Sequence, residues 1–173
     1  MSGTGATIGY LLVAEPRDAV FVGGLLVTTH HGRPLEFRCT APVTPNATQR
    51  MLYGATLRPH VCGDVIGAAL LKKAATAPSL ILTATADALD VREHAKCPVA
   101  VLVDDGRDPH AERPAMASEA TFDLGPLRLS VHDGYLEDIG QIRALDLDTD
   151  ADLSEPLERV REALGQTLRA EAA

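Results

Sequence analysis

Apolar positions between residues 10 and 43 fall into three short runs, each closed by turn residues. Tyr10–Ala14 is continuous and ends at Glu15-Pro16-Arg17-Asp18. Val20–Thr28 is apolar on both faces, whereas Leu35–Val43 alternates, with Leu35, Phe37, Cys39, Ala41 and Val43 opposite Glu36, Arg38 and Thr40. A continuous run suits a strand covered on both sides, and alternation suits a strand with one solvated face. The pattern therefore predicts an antiparallel three-stranded meander, turning at His30-His31-Gly32-Arg33-Pro34, with Cys39 on the buried face. Gly23-Gly24 inside the second run marks a bulge or a place where another backbone comes close.

Past Val43 the period changes. Thr44-Pro45-Asn46 offers two helix starts, Thr44 before Pro45 or Asn46 with Gln49 three residues on. A short helix through Met51 and Leu52 ends near Gly54, and Arg58-Pro59 predicts a break. A long helix over about 61–75 follows, with Asp64 near its start and Lys72-Lys73 near its end to complement the macrodipole. Leu80–Thr83 reads as a short buried strand, Ala88–Ala95 as a short helix capped by Asp87, and Val99–Val103 as another strand. This strand–helix–strand unit is compatible with a parallel crossover. Residues 104–118 are polar and rich in Pro and Gly. Beyond them, Thr121–Leu124 and Leu127–His132 predict a hairpin around Gly125-Pro126, and Tyr135–Leu145 has helical spacing. An acidic linker then leads to a helix started by Ser154, with Leu157, Val160, Leu164 and Leu168 on one stripe.

The resulting expectation is an α+β fold bordering on α/β. Its parts are a mixed sheet led by the meander, one long crossing helix, a βαβ-like segment, and a C-terminal hairpin with two helices. By region this gives a disordered N-terminus (1–8), a mixed core (9–104), a polar loop (105–118) and a C-terminal part (119–173) packed on the same domain. A chain of 173 residues buries roughly 70% of its unfolded surface on folding, so it needs no disulfide or metal staple. Three cysteines without a CxxC spacing favour free thiols in a reducing compartment, hence a cytoplasmic protein. No apolar run is long enough to span a bilayer, so no membrane association is expected.

Charge and composition bear on partners. The net charge is −8, from 24 acidic and 16 basic residues, and there are three Phe, three Tyr and no Trp. Such a chain opposes phosphate and lacks stacking platforms, which makes nucleic acid an unlikely partner.

Candidate chemistry is sparse. The order of three meander strands, a helix and a strand resembles that of restriction-nuclease-like and ribonuclease-H-like cores. Asp18 with Glu36-Phe37-Arg38 resembles the D…ExK arrangement of the former. That resemblance implies Mg²⁺ or Mn²⁺ held by Glu36 with Asp18 or Asp87. Arg38 stands where the pattern has Lys, and arginine cannot give up its proton to act as a base. His60-Val61-Cys62 puts an imidazole and a thiol near a helix start, the setting of a reactive cysteine, although free cysteines are mostly buried packing residues. Asp146, Asp148, Asp150 and Asp152 imitate a calcium loop but have Ala151 and Leu157 in place of its glycine and its final glutamate. No glycine-rich phosphate loop or nucleophile elbow occurs.

The residues thus favour a small non-catalytic interaction or accessory protein, with a protein partner or self-association and no cofactor. The alternative is a metal-dependent hydrolase or nuclease with its carboxylates on the meander.

Overall fold

The computed structural model describes residues 5–103 and 118–172. The polar loop expected over 105–118 lies outside the described residues except for Ser118, as do residues 1–4 of the N-terminus. Strand β1 (Ile8–Arg17) opens inside the segment expected to fray, with Ile8 buried and Thr7 O accepting from Ser79 N. Strands β2 (Val20–Thr28) and β3 (Pro34–Cys39) complete the meander. Helix α1 (Ala47–Tyr53) starts with the Asn46–Gln49 capping box.

A composite helix follows, made of α2 (Leu57–Pro59), a π-helical stretch His60–Gly67 and α3 (Ala68–Lys73). The break expected at Arg58-Pro59 does not occur. Pro59 lies in the first turn, where its missing N–H has no intrahelical partner to lose. Strand β4 (Leu80–Thr83), a 3₁₀ segment Ala86–His94 and β5 (Val99–Leu102) form the crossover. The hairpin β6 (Thr121–Leu124) and β7 (Leu127–Val131) comes next, then α4 (Asp138–Ala144) and α5 (Glu155–Ala172).

The seven strands of the described residues form one mixed sheet in the order β3-β2-β1-β4-β5-β7-β6. Strands β1, β4 and β5 run parallel, and the remaining neighbours are antiparallel. The fold is α+β, as the pattern predicts. Each face of the sheet carries a core. On one side Leu11, Phe21, Leu25 and Val27 meet Val61, Cys62, Ile66 and Leu70 of the composite helix. On the other, Tyr10, Leu12, Val22 and Leu26 meet Leu157, Val160 and Leu164 of α5.

The glycine pair of β2 is what lets both helices approach. A Cβ on Gly23 would stand 2.1 Å from Ile66 Cγ2, and one on Gly24 would stand 2.9 Å from Val160 Cγ1.

Strand β3 departs from expectation. It alternates, but Leu35, Phe37 and Cys39 are exposed. Phe37 pairs with Leu26, on the face α5 covers, while Glu36 and Arg38 pair with Val27 and Leu25, on the composite-helix face. Being outermost, β3 extends past the cover that α5 provides, so its apolar face meets water and its charged face meets the helix.

Candidate functional site

In open sheets with parallel strands, ligands bind beyond the carboxyl ends of those strands. Here β1 and β4 pair from Ile8↔Leu80 to Leu11↔Thr83, and Glu15 and Asp87 each stand four residues past the last pair. A bulge between Ala14 and Arg17 turns Glu15 out of the regular ladder. Its Oε1 accepts from the N–H of Ala19 at 2.9 Å. Asp87 opens the 3₁₀ segment after β4.

Arg58 of α2 lies between the two. Its Nη1 donates to Glu15 Oε2, and its Nε donates to Asp87 Oδ2 at 3.1 Å. The guanidinium sits over the Phe21 ring, 5.3 Å from the centroid. The hydrogen bond from Arg58, helped by Ala19, holds the Glu15 carboxyl below its ordinary range. The same contact with Glu15 holds the Arg58 guanidinium above its own. Water reaches all three side chains, which are 49% (Arg58), 27% (Glu15) and 35% (Asp87) exposed.

Two glycines set this distance. A Cβ on Gly63 would lie 2.8 Å from Asp90 Cβ and 2.9 Å from Val91 N, and one on Gly67 would lie 2.6 Å from Val91 Cγ2. The helix can therefore rest directly on the 86–94 segment. That contact also brings two imidazoles to one carboxylate. His60 Nδ1 is 3.2 Å from Asp64 Oδ2, and His94 Nε2 is 2.9 Å from Asp64 Oδ1. Tyr53 stacks on His60 with centroids 4.3 Å apart. Burial pushes Asp64 upward, but the hydrogen bonds to His94 and His60 outweigh it and hold the carboxyl low. Farther along the segment, His132 pairs with Asp90 at 3.2 Å, and Arg92 donates to the fully buried Asp138 at 2.7 Å.

The residues singled out in the sequence are scattered. Glu36 accepts from the N–H groups of Ala75 and Thr76 at 2.9–3.0 Å and from Arg38 Nε at 2.7 Å. The Ala75 and Thr76 amides, then Arg38, pull its carboxyl down to about 2. Thr40 Oγ1 accepts from Gly23 N. Glu36 and Thr40 thus hold the edge strand to its neighbours. Asp18 is exposed in the β1–β2 turn, away from Glu36. Cys62 is fully buried, and burial pushes its thiol up to about 12. His60 is engaged with Asp64 and Tyr53. In the acidic linker, Asp148 accepts from Asp150 N, and Asp152 accepts from Ser154 N and its hydroxyl.

Asp87 alone of the expected ligands joins a second carboxylate, and that partner is Glu15, which sequence reasoning passed over along with Arg58. The signal was available: Glu15 and Asp87 both closely follow a short apolar run. Among the described residues no group of three His, Cys, Asp or Glu could hold a metal ion. No helix of the described residues is long and apolar enough to cross a membrane.

No protein-family model and no curated protein matches this chain. Among solved structures, the chain is similar to Ciona intestinalis endonuclease V in complex with a 24mer DNA containing an inosine followed by a ribo-adenosine. The identity is 12% and the TM-score 0.49, over 95% of this chain and 87% of that one. The D234N form of the same enzyme with a 23mer DNA gives 12% identity and a TM-score of 0.49, over 95% and 86%. Human ENDOV gives 13% and 0.46, over 99% and 87%. These are structures of an endonuclease, two of them with DNA. Set beside them, the expectations of a non-catalytic accessory protein built for protein–protein interaction, and of nucleic acid as an unlikely partner, are corrected. The first expectation rests on the lack of a catalytic motif in the sequence and the second on whole-chain acidity and few aromatics, and neither describes the local arrangement of charge at a site.

Proposed function

We propose that this chain is a divalent-cation-dependent hydrolase of phosphodiester bonds in nucleic acid, centred on Glu15, Arg58 and Asp87. One observation carries the reading: two carboxylates at the carboxyl ends of adjacent parallel strands, bridged by a solvent-accessible arginine. The alternative drawn from the sequence thus keeps its reaction class and its carboxylate on the meander, with Glu15 in place of Glu36. Two carboxylates are too few for a zinc or calcium cage. They suit a hydrated Mg²⁺-class ion, which takes one or two carboxylates and fills its shell with water and substrate phosphate. When bound, such an ion activates water and neutralises charge on the phosphate.

The chain's own part is to position these groups. The Arg58 fork matches phosphate oxygens as well as carboxylates. Being half-exposed, it can exchange one carboxylate partner for a substrate phosphate and free that carboxylate for the cation. Phe21 beneath the guanidinium limits how far it swings. Hydrolysis adds water across one P–O bond, the proton going to the leaving oxygen. Three cysteines held as thiols support a reducing, cytoplasmic setting for this activity.

The test is incubation of end-labelled single- and double-stranded DNA and RNA with the chain and Mg²⁺ or Mn²⁺. Cleavage that disappears with chelator and falls at least about 100-fold in Glu15→Gln and Asp87→Asn is the expected result. Absence of cleavage on every substrate, or cleavage indifferent to both substitutions, overturns the proposal.

A further inference from the structure

At the other end of the parallel strands lies a cavity of about 520 Å³ with no part in the strand-end cluster. Its walls are α3 from Ala68 to Lys72, the 74–78 loop, residues 94–97 and Ile81 of β4. The lining has two distinct characters. Leu71, Pro78, Ile81 and several alanines make it largely apolar, and Lys72 and Lys96 supply its charge, while His94 in the same wall is hydrogen-bonded to Asp64. Among the described residues no Asp or Glu lines it, in a chain whose net charge is −8. Glu36 reaches the same loop, but its carboxylate is held by the amides of Ala75 and Thr76 and by Arg38. The volume falls in the usual range for small-molecule sites, where apolar walls supply area and a few polar groups fix orientation.

We infer that this cavity binds a small anionic amphiphile, an apolar body carrying one carboxylate, with the body against Ile81 and Leu71 and the anion at Lys72 and Lys96. A purely apolar ligand leaves both ammonium groups unused, and a bare anion leaves the walls wet, so both features are required. Lysine suits the task, because its stem packs along the apolar wall while its head stays at the mouth.

Decanoate is the probe. Isothermal titration of the full chain, below the concentration at which decanoate forms micelles, is expected to give saturable one-to-one binding. Acetate and decanol, each missing one feature, are expected to bind at least about tenfold more weakly. Lys72→Glu with Lys96→Glu removes the anion site, and Ala68→Leu narrows the cavity. Each is expected to weaken decanoate at least about tenfold. Cys97, which lines the cavity, gives a readout that needs no variant: decanoate is expected to slow its alkylation, mapped by peptide mass, and leave exposed Cys39 unchanged. Equal binding of decanol or acetate, insensitivity to the substitutions, or no protection of Cys97 overturns the inference. Nuclease activity plays no part in these measurements, so failure here and failure of the strand-end proposal are separate results.

Discussion

Glu36 shows how far a residue's chemistry can be read without its surroundings. In the sequence it is the obvious carboxylate, polar among apolar neighbours and two residues from an arginine. In the fold both oxygens accept from the backbone of the 74–76 loop, so the charge serves to hold the edge strand to the end of the helix. The sign of the linkage follows. The folded pKa is about 2, against an ordinary 4.5, so the contribution is fully present above pH 4.5 and is lost as pH falls toward 2. Urea denaturation is expected to show Glu36→Gln less stable than the native chain at pH 7 by about 1 kcal/mol, after allowance for solvent screening. The difference should vanish near pH 2. A gap that does not change with pH would mean that the carboxylate charge is not what holds the loop. Glu15 is the opposite case, being unremarkable beside Pro16 until the parallel register brings it to Asp87 and Arg58. Spacing along the chain shows which residues follow a strand, but it does not show which strands are neighbours.

At the level of elements, most of the fold is legible in the hydrophobic pattern because period and turn chemistry agree. The meander, the crossover, the hairpin and α5 all fall where the spacing puts them. Two features depend on packing and could not be read locally. One is the orientation of β3, whose inner and outer faces are decided by how far α5 extends over the sheet. The other is continuity through Pro59, where the helix goes on as a π-helical stretch. The glycines divide in the same way. Gly23-Gly24 signals a close approach, but only the fold shows that a different helix meets each one. Gly23→Ala forces its new methyl onto Ile66 and is expected to cost about 1–3 kcal/mol, as overpacking does. A methyl group added at Gly140 in α4 would meet nothing within 4 Å. Gly140→Ala is therefore expected to gain about 0.4–1 kcal/mol by reducing the freedom of the unfolded chain. Ile66→Ala removes the Cγ2 that the new methyl meets, so the double variant should lose less stability than the two single losses added together. Chemical denaturation of the three single variants and the Gly23/Ile66 double variant checks the sign of each effect and the coupling.

For the whole molecule, the central question is what covers the sheet. A mixed sheet with apolar side chains on both faces needs two layers of cover. The composite helix supplies one, through Val61, Cys62, Ile66 and Leu70. The other is α5, whose stripe is plain in the sequence and is expected there to pack back on its own domain, with docking on another protein as the alternative that the pattern leaves open. In the fold Leu157, Val160 and Leu164 are buried against Tyr10, Leu12, Val22 and Leu26, so the helix completes the core. Arg159 adds a tie, its Nη1 donating to the carbonyl of Gly32 in the β2–β3 turn at 3.1 Å. A core element and a docking element respond differently to truncation. Leu164→Ala is expected to cost about 2–4 kcal/mol, and Leu168→Ala, at the edge of the same cluster, distinctly less. At this chain length each kcal/mol corresponds to roughly 2–4 °C in Tm. Thermal melts of the two variants should therefore separate by several degrees, with Leu164→Ala the lower. Melts unchanged by Leu164→Ala would place α5 outside the cooperative fold and leave one face of the sheet uncovered.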